Sequence, residues 1–142
     1  MNEVRIQAGV VRGEEIVHYP ADEIFLRGIG HGNVQVIEYV STDHHGPPPH
    51  THEWDEIEIV VDGEAEFRVG DVVTAGGRGT LQFLPAGVPH AVRVPKGEAR
   101  LVYVTIGAPY DGFAREMARL QAEGAPLEQI AAAAGEYGVR LV

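Results

Sequence analysis

The sequence predicts an all-β fold, a barrel or sandwich carrying one or two α-helices at its C-terminal end. Short runs rich in Val, Ile, Phe and Tyr recur between residues 4 and 106, at the spacing of about 8–12 residues that signals such folds. Eighteen glycines and nine prolines break the runs. Helical periodicity appears only after Pro109.

The predicted strands are Val4–Val11, Ile24–Ile29, Val34–Val40, Glu56–Val61, Ala65–Val69, Val72–Ala75, Thr80–Leu84, His90–Val94 and Leu101–Ile106. Val61-Asp62-Gly63-Glu64 and Val69-Gly70-Asp71-Val72 read as hairpin corners. Pro47-Pro48-Pro49 is a stiff, extended lead-in. Beyond Pro109, the apolar Phe113, Met117 and Leu120 recur at helical spacing among Arg115, Glu116, Arg119 and Glu123. An amphipathic helix follows, with Asp111 as its N-cap and Gly124 as its end. Pro126 opens a second helix through Leu127, Ile130 and the Ala131–Ala134 run, stopping near Gly135. Both helices are expected to pack on the outside of the barrel or on a second subunit. The barrel thus covers residues 1–108 and a helical extension covers 109–142, within one domain. No internal repeat is visible, so a single barrel is expected.

Composition narrows the partners. The 142 residues suit one domain, and the apolar fraction of 44% is globular. Eleven basic residues against 21 acidic ones give a net charge of −10, and Lys96 is the only lysine. Such a surface repels phosphate backbones and anionic lipid, which excludes nucleic acid and membrane as expected partners. A small organic molecule or a metal cation fits better. With no cysteine, imidazole and carboxylate are the strong ligands left. Residues 1–10 carry Glu3 and Arg5 and no apolar core run, so a signal peptide is not expected. Every apolar stretch is far shorter than the roughly 20 residues of a membrane span, and a cytoplasmic protein is expected.

His50-Thr51-His52 sets two imidazoles two residues apart, on one face of a strand. Glu56 follows across a short turn at the start of the next strand. His90 comes after the turn-rich Pro85-Ala86-Gly87-Val88-Pro89 and belongs to another strand. Three imidazoles and one carboxylate make a compact set for one divalent transition-metal ion.

These residues carry a resemblance. The stretch from Gly46-Pro47-Pro48-Pro49-His50-Thr51-His52 through Glu56 to Gly63 is similar to the first motif of the cupin superfamily. The stretch from Gly79 to Pro85-Ala86-Gly87-Val88-Pro89-His90 is similar to its second motif. Two departures stand out. Val94 occupies a place that often holds Asn, and three residues rather than five separate Gly46 from His50. Neither is a ligand position. The resemblance implies a double-stranded β-helix (a jelly-roll barrel) with the metal at His50, His52, Glu56 and His90. It further implies a homodimer, as single-barrel cupins commonly exchange an N-terminal strand, for which Val4–Val11 is the candidate.

Strand alternation extends the site. If Glu56 points inward, so do Glu58 and Val60, unless a bulge turns Glu58 to solvent. An inward Glu58 would partner a ligand histidine or transfer protons, as would Glu56 itself. Gln82 either binds substrate or faces outward on its strand. Tyr103, Tyr39 and Phe25 are candidate pocket lining or core. Trp54 is expected at the barrel rim. His18, His31, His44 and His45 read as surface residues, with His44 or His45 able to line the barrel mouth.

Four protein ligands leave coordination positions open, as a catalytic site requires. The chain is similar to the small quercetinase-like cupins, through Gly-Pro-Pro-Pro-His-x-His, the Phe67–Asp71 hairpin and the C-terminal helix. That resemblance implies a dioxygenase using Fe, Mn or Ni. Single-domain cupins also include aromatic polyketide cyclases, in which a metal such as Zn acts as a Lewis acid, and Glu58 and Gln82 suit that route. A small-molecule-binding cupin without turnover is the third expectation.

Overall fold

Two antiparallel sheets enclose the interior in the computed structural model of the chain, which describes residues 12, 17–19, 24–31, 33–108 and 110–142. The strands are β1 (Val17–Tyr19), β2 (Ile24–His31), β3 (Val34–Ser41), β4 (His50–Thr51), β5 (Asp55–Asp62), β6 (Glu64–Val69), β7 (Val72–Gly77), β8 (Leu81–Leu84), β9 (His90–Arg93), β10 (Ala99–Ile106) and β11 (Arg140–Leu141). Helices α1 (Tyr110–Ala122) and α2 (Leu127–Glu136) lie between the last two strands. One sheet has the order β1-β2-β3-β10-β5-β8 and the other β11-β4-β9-β6-β7.

Period-two alternation decides what faces inward. On β5, Glu56, Glu58 and Val60 are buried, while Ile57 and Ile59 lie half-buried on the other face. On β10 the buried set is Ala99, Leu101, Tyr103 and Thr105. Register then stacks these residues across the sheet: Thr105 opposite Glu56, and Tyr103 opposite Glu58. One end of the interior is apolar, with Val60, Ala65, Phe67, Val94, Ala99 and Leu101 in one cluster. The other cluster joins Ile37, Trp54 and Tyr103 to Ala134 and Val139, with Phe113 and Met117 against it. The helical segment therefore packs its apolar side on the barrel, where it covers Trp54 and Tyr103.

Val61–Glu64 proves not to be a hairpin corner. β5 and β6 belong to different sheets, and Gly63 turns the chain from one to the other at φ 78°. A Cβ at that position would collide with the carbonyl oxygen of Glu98, so glycine alone fits. Val69–Val72 is a true hairpin, with those two residues opposite each other. α1 begins at Tyr110, which puts Asp111 in its first turn and not at its N-cap. β1 and β11 were not expected, β4 is the strand that the His50-Thr51-His52 spacing called for, and the predicted strand Val4–Val11 lies outside the described residues. Among the described residues, no helix is long and apolar enough to cross a membrane.

Candidate metal centre

Three strands deliver the histidines and Glu56. His50 on β4 sits directly opposite His90 on β9. His52 leaves the end of β4, and Glu56 is the second residue of β5. The turn before His90 is tied to this segment twice. Gly87 N–H donates to the His52 carbonyl at 2.9 Å, and Ala86 N–H donates to Asp55 Oδ1 at 2.8 Å. The lead-in is fixed at Gly46, at φ 72°, where a Cβ would meet the Val92 carbonyl oxygen at 2.7 Å. Only glycine lets the proline run lie this close to β9.

Nε2 of His52 and Oε2 of Glu56 are 2.7 Å apart, and Nε2 of His90 is 3.7 Å from the same oxygen. One donor atom from each of these three residues lies within 4.8 Å of the other two. His50 packs beside them, its ring centre 4.5 Å from that of His90 and 6.3 Å from that of His52. It brings no ring nitrogen within 4.8 Å of all three.

The three rings share one device. Nδ1 of His50, His52 and His90 lies 2.9 Å from the carbonyl oxygens of Pro48, Trp54 and Val88 respectively. A carbonyl only accepts, so each Nδ1 must carry the hydrogen, and the neutral ring keeps its lone pair on Nε2. Such backbone acceptors fix the tautomer and orientation of a metal-binding histidine. Burial pushes His50 below the ordinary imidazole value and His90 down to about 4, keeping both neutral and able to ligate. Donor chemistry and tautomer fit a divalent cation at His52, Glu56 and His90, with the His50 ring packed beside them.

A cavity of about 210 Å³ opens beside this cluster. Tyr39, Tyr103, Glu58, Phe113 and Val139 are among the residues that line it. The two tyrosines meet edge to face at 5.1 Å. Glu58 is 4% exposed and turns inward with Glu56, with no bulge between them. Tyr39 OH donates to its Oε1 at 2.9 Å, and Gln82 Nε2 donates to its Oε2 at 3.4 Å. Burial, then the charge of Glu56, push Glu58 up to about 8 against the opposing hydrogen bond from Tyr39. Gln82 does not face outward. It is buried opposite Glu58, and the exposed positions on β8 are Leu81 and Phe83. Its amide reaches Glu58, whereas Tyr39 and Tyr103 reach the cavity.

Trp54 is not at the rim. It is 3% exposed and stacks on the His52 ring at 4.4 Å with 5° between the planes. His44 and His45 are exposed, and His44 Nε2 pairs with the Gly97 carbonyl at 3.1 Å. The side chains of Phe25, His18 and His31 lie outside the described residues. Sequence reasoning missed Phe113 and Val139 as cavity walls. The alternating Val139-Arg140-Leu141-Val142 tail after Gly138 was the signal that could have found the terminal strand.

Comparison with known proteins agrees with this geometry. The cupin domain model matches residues 36–107. No curated protein sequence matches the chain significantly. Among solved structures, an RmlC-like cupin from Shewanella frigidimarina is similar at 18% identity and a TM-score of 0.66, covering 75% of this chain and 96% of its own. KdgF from Halomonas sp. is similar at 16% identity and a TM-score of 0.66, covering 75% and 99%. The polyketide cyclase RemF from Streptomyces resistomycificus is similar at 24% identity and a TM-score of 0.58, covering 70% and 80%. At these identities the likeness concerns the fold.

Proposed function

Because the chain belongs to the cupin domain family, we propose that it is a metal-dependent enzyme acting on a small, oxygen-bearing organic substrate. In this reading His50, His52, Glu56 and His90 hold the ion and Glu58 transfers a proton. The supporting observation is that three histidines commit Nδ1 to backbone carbonyls beside a cavity that also contains a buried acid. A bound divalent ion supplies Lewis acidity to a substrate oxygen.

The rest falls to side chains. Tyr39 and Gln82 hold the Glu58 carboxyl at the cavity wall. Its raised proton affinity lets it accept a proton from an activated carbon or hydroxyl of the substrate and return it at a second position. Phe113 and Val139 keep an apolar wall across the cavity and limit water. The reaction class is cyclisation or isomerisation without redox change, the chemistry of a Lewis-acid cupin. A second reading is a dioxygenase resembling quercetinase. The imidazole and carboxylate donor set is compatible with it, since it suits Fe, Mn and Ni as well as Zn.

Metal analysis of the purified protein and oxygen-electrode assays separate these readings. Incorporation of solvent deuterium into an enolisable diketone, without oxygen uptake, is the expected result. Oxygen consumption with an enediol or flavonol would replace proton transfer with the dioxygenase. Neither activity in metal-loaded protein would leave a binding cupin.

We also propose that the chain forms a homodimer through the outer face of the larger sheet. Val36, Val104, Ile57 and Phe83 align across four strands there, with Leu81 and Phe83 exposed. Three strands of eight residues and one of four span about 450 Å², a large part of the roughly 800 Å² per partner of a stable interface. A second copy presents the same uncharged ladder, which suits a chain whose net charge of −10 repels itself elsewhere. Sedimentation is expected to give twice 15.3 kDa, and Phe83→Glu to give a monomer. A wild-type monomer at about 10 μM would contradict this interface.

A further inference from the structure

The cupin match ends at residue 107, yet the chain beyond it touches the histidines by two routes. β11 forms a ladder with β4, placing Leu141 opposite His50 and Arg140 opposite Thr51. Val142 N–H also donates to the Pro49 carbonyl at 3.1 Å. β4 is two residues long and meets β9 at the single pair His50–His90. Such a short strand has little cooperativity of its own, so β11 supplies half of what keeps it extended.

The second route runs through Trp54. Its carbonyl takes the Nδ1 hydrogen of His52, and its ring covers the His52 ring face to face. Phe113 of α1 backs Trp54 at 5.8 Å and itself packs edge to face on Tyr137 at 5.9 Å. Ala134 of α2 and Val139 share the same buried cluster. The helices therefore meet the indole that orients the histidine.

We propose that residues 109–142 are a positioning element of the metal centre, holding His50 through β11 and His52 through Phe113 and Trp54. This rests on the reading of the histidines as ligands. The Nδ1–carbonyl bonds set which nitrogen faces the cavity, and they survive only while the backbone at 48–54 keeps its path. Without β11, His50 loses its hold on the Pro48 carbonyl. Without the Phe113 ring, Trp54 can tilt and His52 turns with it. Outer partners of this kind are worth about 10–100-fold in metal affinity.

The test uses Arg140→Pro and Phe113→Ala in the full chain. Imidazole tautomers are read by long-range ¹H–¹⁵N correlation in metal-free protein, and zinc affinity by calorimetry. Arg140→Pro removes the N–H opposite Thr51; it is expected to mix the His50 tautomers and Phe113→Ala those of His52, with His90 unchanged in both. Zinc affinity should fall about tenfold in each. Circular dichroism checks that the barrel remains folded, and Phe113→Leu, expected to give a smaller shift at His52, serves if Phe113→Ala does not fold. Unchanged tautomers in the folded variants, with zinc affinity within about twofold, would overturn the positioning role while leaving the ligands in place. Altered tautomers in a protein whose wild type takes up no zinc would instead remove the ligand reading and keep the positioning role.

Discussion

Replacing His52 or His90 with alanine is expected to lower zinc affinity by more than about 100-fold, exceeding the cost of losing an outer partner. His50→Ala should cost less, because its ring nitrogens lie outside the group that His52, Glu56 and His90 already form. Zinc at 100 times its dissociation constant should stabilise the wild type by about 2.7 kcal/mol, and the His52 and His90 variants much less at that concentration. Equal affinity across the set would mean that the ion sits elsewhere.

Glu58→Gln carries the largest expected effect on turnover, a fall of about 10²–10⁴ in kcat with metal stoichiometry unchanged. Gln keeps the shape and the bond from Tyr39 but cannot carry a proton. The same substitution has a signature in the metal-free protein. Burial raises Glu58 from an ordinary 4.5 to about 8. Between those values the folded chain holds a proton that the unfolded chain has released, so stability falls as pH rises. The contribution is complete below about pH 4.5 and gone above about pH 8. Calorimetric melting at pH 5, 6.5 and 8 should show this decline in the wild type and a flatter profile in Glu58→Gln. Identical slopes would put the buried proton on another group.

Much of the centre was legible because its donors come in local clusters. His50 and His52 are two residues apart, Glu56 follows by four, and the Pro–Gly turn aims His90, so short-range spacing already constrains four side chains. Strand period did the same for Glu58, since Glu56 and Val60 left it the inner face unless the strand bulged. Gln82 was harder. Its strand is four residues long with apolar groups on both faces, and only pairing with Glu58 distinguishes inside from outside. Gly63 marked a turn correctly but not its partners, because a glycine at positive φ serves a hairpin and a sheet-to-sheet crossing equally.

The C-terminal contribution was least legible for a physical reason. The helical period showed which face of α1 was apolar, but not that Trp54 and Tyr103 awaited it inside the barrel. A two-residue strand such as β11 has almost no local signal, and its pairing with β4 joins positions about ninety residues apart. Trp54 looked exposed because it sits in a tight turn, whereas stacking on His52 and cover from Phe113 bury it.

The most direct measurement is anomalous diffraction at the metal edge on crystals of the wild-type protein grown with one equivalent of the ion. A single peak within bonding reach of Nε2 on His50, His52 and His90 and of a Glu56 oxygen is the predicted result. A peak on Nδ1 of these rings, or none at the cluster while the ion occupies another part of the molecule, would contradict it.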